Sequence, residues 1–212
     1  MSWSQELSEE ELEKWFLDDS RSHPFDTDVN EGQLELLAKP PEKAVLHSQN
    51  RFTISADSLK NGWVSMRQCY HNLDAVPAME VVYQYKNMKN LTVASVAGIE
   101  KAWVEGQSVQ LLNTETGATL CIEAQVQILY PYTQGKYVLK NGPFQRKFLD
   151  GYYPMRVTLQ VVFSAHLLKF DSVSPPQQKG VKLTQTRDTV EVDIWFAGRL
   201  FTQIFFASTK LQ

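Results

Sequence analysis

This sequence has no basic cluster, no long apolar run and no recognisable catalytic spacing, and each absence removes a class of function. Lysine and arginine are scattered, and the formal net charge is −3. No positive field for nucleic acid is therefore expected. No apolar stretch approaches the ~20 residues of a membrane-spanning helix. The chain does not open with a basic start and an apolar core, so no signal peptide is expected in it. There is no Gly-x-Ser-x-Gly elbow, no glycine-rich phosphate loop ending in Gly-Lys, and no His-Glu-x-x-His. The four histidines, His23, His47, His71 and His166, share no local spacing. Neither a metal site nor a cofactor is expected, and no residue is assigned a catalytic role.

Cysteine is also scarce. Cys69 and Cys121 are the two in the chain. They fit one disulfide in an oxidising compartment or two buried thiols in a reducing one, and the thiol reading is the favoured of the two. Arg67, Cys69, His71 and Asp74 form the tightest reactive constellation. Cys69 and His71 stand side by side on one strand face, about 6–7 Å apart, beyond direct hydrogen-bond reach. A buried cysteine beside a surface histidine is expected there rather than an activated thiolate. Glu123, Glu191 and Asp193 are acids on strand faces, with nothing local to pair them as a glycosidase needs.

What the sequence does contain is a two-residue rhythm. From 155 to 163, Met155, Val157, Leu159, Val161 and Phe163 share one face, while Arg156, Thr158 and Gln160 share the other. That is a strand with one buried and one wetter side. Asp150-Gly151 precedes it as a turn, and Pro154 sits at a position where a strand begins. The same rhythm sets Val64, Met66, Gln68 and Tyr70 against Trp63, Ser65, Arg67, Cys69 and His71. It also sets Leu120, Ile122, Ala124, Val126 and Ile128 against Thr119, Cys121, Glu123, Gln125 and Gln127. Further short strands are predicted at 44–47, 52–54, 79–85, 91–96, 99–104, 109–111, 137–139, 167–170 and 181–184. Glu105-Gly106, Thr116-Gly117 and Asn141-Gly142 read as turns, and Ala197-Gly198 as the turn of a final hairpin joining 190–196 to 200–206.

The front of the chain differs. Residues 4–19 are predicted as a helix, with Ser8 and Glu11 as a capping box and Leu12, Trp15 and Phe16 as its apolar stripe. The helix is expected to pack on its own domain. Residues 20–29 read as a linker, and 33–38 as a short helical turn ended by Pro40-Pro41.

The predicted fold is therefore mainly β: an antiparallel β-sandwich, or a flattened barrel, with one short N-terminal helix. Residues 1–30 are the helix and linker, and 31–212 the sandwich domain. A local echo relates Leu73-Asp74 and Met79 to Leu149-Asp150 and Met155, which allows two related halves at about 43–130 and 142–208. Chance recurrence is the preferred explanation, because the downstream spacings differ.

Five Trp, eight Tyr and eleven Phe supply the strongest functional hint. Tyr130, Tyr132, Tyr152 and Tyr153, with Phe144, fall at loop and strand-edge positions, and Arg156 lies beside them in sequence. Exposed aromatics on rigid strands suit binding. The expectation is a non-enzymatic binding or assembly module with Tyr130, Tyr132, Tyr152, Tyr153 and Arg156 as ligand-binding candidates. The partner would be a protein or a saccharide. An exported or periplasmic setting is slightly favoured over a cytoplasmic one, as in a cell-envelope component. The alternatives are a hydrolase of saccharides or esters, with residues from separate strands, and a structural subunit whose helix docks on a partner. No family signature is recognised.

Overall fold

The alternation that begins near residue 43 folds as pleated sheet. The computed structural model describes residues 30–209. The helix predicted over 4–19, and the linker up to 29, lie outside those residues. In chain order the strands are β1 (Glu35–Leu36), β2 (His47–Thr53), β3 (Trp63–Leu73), β4 (Val76–Val82), β5 (Met88–Glu105), β6 (Ser108–Gln127), β7 (Leu129–Thr133), β8 (Lys136–Phe144), β9 (Lys147–Phe148), β10 (Gly151–Tyr152), β11 (Met155–Val162), β12 (Leu168–Ser174), β13 (Val181–Gln185), β14 (Thr189–Ala197) and β15 (Leu200–Ser208). A four-residue helical turn, Ser58–Asn61, joins β2 to β3.

Two main sheets face each other. The larger runs β1-β14-β11-β2-β3-β6-β4, with β13 beside β14 and β5 beside β6. The smaller runs β12-β15-β8-β7. Their inward side chains form one buried cluster, in which Val157, Leu159 and Val161 of β11 meet Leu139, Ile204 and Phe206 of the smaller sheet. The architecture is the expected antiparallel sandwich, and among the described residues no closed barrel forms. One pairing departs from it: β11 lies parallel to β2, with Arg156 opposite His47 and Val162 opposite Thr53. Strands that run the same way cannot be joined by a tight hairpin, and this contact joins segments far apart in the chain.

Several local expectations are corrected. Residues 33–38 are not helical: Glu35–Leu36 within them is a strand, paired with Phe196 and Ala197 of β14. Thr116-Gly117 does not reverse the chain. β6 runs through it as a strand of 20 residues, and β5 pairs along its whole length. Register jumps there instead, Ala97 pairing with Thr119 but Ile99 with Thr114, which is a bulge and not a hairpin. Asn141-Gly142 likewise lies inside β8. Glu105-Gly106 does turn, joining β5 to β6.

Ala197-Gly198 is not a hairpin turn either. β14 belongs to the large sheet and β15 to the small one, so the chain crosses between layers there. The crossing needs glycine: Gly198 has φ +88°, and a Cβ on it would lie 1.8 Å from the Gln33 carbonyl oxygen.

The two cysteines are also corrected. Cys69 and Cys121 stand directly opposite each other on β3 and β6 and are joined by a disulfide. Fifty-two residues separate them in sequence. The thiol reading failed because nothing local announces that these two strands are neighbours.

Candidate functional site

Strands β3 and β4 follow each other along the same side of β6, broken only at Asp74-Ala75. β2 accompanies β3 but stops at the His47–His71 pair. Among the described residues, β4 therefore has no strand on its second edge. The chain leaving β8, residues 143–148, passes opposite that edge. Between them lies a cavity of about 410 Å³, within the ~300–1,000 Å³ range of ligand pockets. Consecutive residues 79–85 line it, so it meets β4 edge-on.

Its walls are apolar, from Met79, Val81, Phe144 and Met155. Its floor is polar, because β3 turns Gln68 and Tyr70 inward, on the same face as Val64 and Met66. Gln68 is 3% exposed, Asn141 5% and Tyr83 6%. Gln68 Nε2 donates to Ser48 Oγ at 2.9 Å, yet its Oε1 has no partner in the protein. Asn141 Oδ1 accepts from the Tyr85 hydroxyl and from the Gly142 N–H, both at 2.9 Å. The Gly142 donor fixes the amide's orientation, and Nδ2 is left unpaired. Tyr83 Oη couples to the Tyr70 hydroxyl, but no hydrogen bond of ordinary geometry satisfies it.

Six buried side-chain polar atoms lack a protein partner among the described residues, and four of them belong to residues lining this cavity. The fourth is Arg146 Nε. An unsatisfied buried polar atom costs about 1–3 kcal/mol. Four such atoms on residues of one cavity make it the candidate site.

Charge sits at the mouth. Arg146 Nη2 donates to both Asp74 carboxylate oxygens at 2.8 Å. Its guanidinium lies 5.3 Å from the Phe148 ring centroid and 5.8 Å from that of Tyr153. Deeper in, burial pushes the Tyr70 phenol up to about 12. Burial raises Tyr83 and Tyr85 further. The interior thus disfavours charge.

A second polar cluster occupies the outward face of the large sheet. Arg156 donates to Asp193 through Nε and Nη2 at 2.8 and 2.9 Å and lies over the Trp195 ring. Its pKa is raised, chiefly by the hydrogen bond to Asp193. The Thr158 hydroxyl donates to Asp193 Oδ1 at 2.9 Å. With its one proton so used, Thr158 Oγ1 accepts from His47 Nε2, also at 2.9 Å. His47 is therefore a donor here, not a base facing a nucleophile. Burial, then Arg156 and His71, hold its pKa down to about 4.

The residues expected to bind ligand are dispersed. Tyr153 packs edge-on against Phe148, which lines the cavity, but does not line it itself. Its hydroxyl donates to Asp150, and that bond raises its pKa. Tyr152 lies beside it on β10, with Lys147 over its ring. Tyr130 and Tyr132 are on β7 in the smaller sheet; Lys140 lies over Tyr130, and Tyr132 packs edge-on to Phe205. Arg156 belongs to the outward cluster. Sequence reasoning missed Gln68, Tyr83, Asn141 and Arg146. Gln68 and Tyr70 did carry a signal, as polar residues at core-facing positions of a strand.

Comparison with known proteins adds little. No protein family matches the chain, and no curated protein does. Among solved structures, it is similar to an M1 zinc metallopeptidase from Deinococcus radiodurans at 11% identity and a TM-score of 0.40, covering 84% of this chain and 43% of that one. A mutant of the metallopeptidase bound to a Tyr-Ser-Ala substrate aligns with a TM-score of 0.41, with the same identity and coverage. The chain thus spans less than half of those structures, and a likeness this faint carries no argument. Among the described residues, no group of three His, Cys, Asp or Glu is placed to hold a metal, and no helix is long and apolar enough to cross a membrane.

Proposed function

We propose that this protein is a non-enzymatic binding module whose ligand seat is the cavity between β4 and the 143–148 segment. One observation carries the reading: the residues that line one apolar-walled cavity include the buried Gln68 and Asn141, whose Oε1 and Nδ2 have no partner among the described residues. A packed core selected only for stability would replace such atoms with carbon. The Cys69–Cys121 bridge supports an oxidising setting, which fits an exported or envelope-associated protein. The hydrolase alternative has less support, since the outward His47–Thr158–Asp193 cluster spends its hydroxyl proton on a carboxylate already held by Arg156.

A ligand-detected NMR screen of a fragment library tests the reading. Fragments are expected to bind wild type, and binding is expected to weaken at least about ten-fold in Gln68→Leu and Tyr83→Phe, the loss of one to two hydrogen bonds. Fragments that bind both variants as well as wild type would place the seat elsewhere.

A further inference from the structure

The second edge of β4 restricts the chemistry of what the cavity holds. We propose that its ligand is an extended segment of another polypeptide, which adds to β4 as a further antiparallel strand and carries apolar side chains at alternate positions with a lysine or arginine between them. This rests on the cavity being the ligand seat.

The register of β4 on β6 shows which backbone groups are free. The Tyr83 N–H donates to the Gln107 carbonyl at 3.0 Å, and the pairing continues in step through Val81–Val109 and Met79–Leu111. Bonded and unbonded pairs alternate along an antiparallel ladder. Tyr83, Val81 and Met79 therefore bond to β6. Ala78, Glu80 and Val82 turn their N–H and C=O groups the other way, toward the cavity. Among the described residues, no backbone hydrogen bond reaches these three, from the 143–148 segment or from elsewhere. All three residues are exposed. A row of open backbone groups on a sheet edge is a template for strand addition, and antiparallel pairing is the stronger form.

Side chains set the sequence of the added strand. Residues directly opposite each other across a ladder share a face of the sheet. Those facing Met79 and Val81 enter the space walled by Phe144 and Met155, so they are apolar. The one facing Glu80 lies on the outer face. Glu80 accepts from Gln110 Nε2 at 2.8 Å and has no cation beside it among the described residues, so a basic side chain complements it. A second copy fits poorly, since β4 paired with itself about Glu80 sets two carboxylates opposite each other. Residues 1–29 fit poorly too, with Asp26 and Asp28 standing closest in sequence to the described body.

The test is a heteronuclear NMR titration of the full chain with acetyl-Thr-Val-Lys-Val-Thr-amide, following the backbone amides of residues 78–83. In the free protein, the amides of Ala78, Glu80 and Val82 are expected to exchange with solvent faster than those of Met79, Val81 and Tyr83. The peptide is expected to shift and protect them. Methylating the main-chain nitrogen of the peptide's lysine removes the donor to Glu80 and is expected to weaken binding at least about ten-fold. Methylating that of the following valine, which points away from β4, is expected to weaken it about two-fold or less. Glu80→Lys, at an exposed position, is expected to weaken the lysine peptide about five-fold and to favour its glutamate counterpart, with thermal unfolding confirming the fold. Equal sensitivity to the two methylations would overturn strand addition. So would a peptide that leaves these amides unchanged while fragments still bind in a Gln68-dependent way, and the cavity would then remain the seat of a small molecule. If neither peptide nor fragments bind, the binding-module reading falls as well. Protection of the same amides before peptide is added would overturn the external partner: protection that grows with protein concentration identifies a second copy, and protection that does not identifies residues 1–29.

Discussion

His47 is the residue whose charge state the fold controls most directly. Half-buried on the outward face, it is pressed by Arg156 and His71 and only partly compensated by Asp193, so its pKa drops from 6.5 to about 4. An unfolded chain takes up this proton first as pH falls. Between pH about 6.5 and 4 the unfolded state thus binds more protons, and each step down in pH lowers stability; above 6.5 the contribution is constant. Urea unfolding at pH 7, 6, 5 and 4 is expected to show this slope in wild type and a shallower one in His47→Gln. Parallel slopes in the two proteins would mean that the imidazole is solvated and does not sense Arg156.

At the scale of elements, the crossing from β14 to β15 is the most tightly constrained join. Gly198 holds a left-handed backbone against the Gln33 carbonyl, where a methyl group has no room. Gly198→Ala is expected to destabilise the protein by about 3 kcal/mol or more, combining backbone strain with displacement of the β1 approach. A loss under about 1 kcal/mol in denaturant unfolding would show that the approach is loose. This join also shows where sequence reading stops. The strand signals on both sides were plain: Val190, Val192, Ile194 and Phe196 alternate, as do Leu200, Thr202, Ile204 and Phe206. Local pattern gives the face of a strand, however, not its neighbour. It placed β14 and β15 in one hairpin, although Phe206 pairs with Tyr137 and Ile194 with Val157. The candidate site suffered from the same gap. Gln68 and Tyr70 share a strand face with the core residues Val64 and Met66 and were passed over as site residues, while Asn141 reads as a turn until β8 is seen to run through it. Of the tyrosines expected at a binding surface, Tyr153 lies just after β10, against Phe148 and Arg146. Tyr130 and Tyr132 went to another sheet.

At the scale of the whole molecule, the Cys69–Cys121 bridge ties β3, which supplies Gln68 and Tyr70 to the cavity, to the long strand β6. It closes a loop of 52 residues, for which chain-entropy reasoning gives about 4 kcal/mol, with about 2–4 usual in practice. The double variant Cys69→Ser/Cys121→Ser is expected to lose that much in oxidising buffer, and wild type to lose a similar amount when reduced. If reductant leaves the wild-type midpoint unchanged, the bridge does not form in solution and the argument for an oxidising compartment goes with it.

The parallel contact between β2 and β11 has a consequence for how the molecule is made. Its first pair, His47 with Arg156, joins residues about a hundred positions apart. During synthesis, β2 leaves the ribosome long before its companion exists, so the larger sheet stays open on that side until residue 162 has emerged. Contacts of such long range put folding in the millisecond-to-second class rather than the microsecond one. Throughout that interval the apolar Phe52 and the polar Asn50 beside it, both sealed in the finished protein, face whatever chaperone or neighbouring chain is nearest.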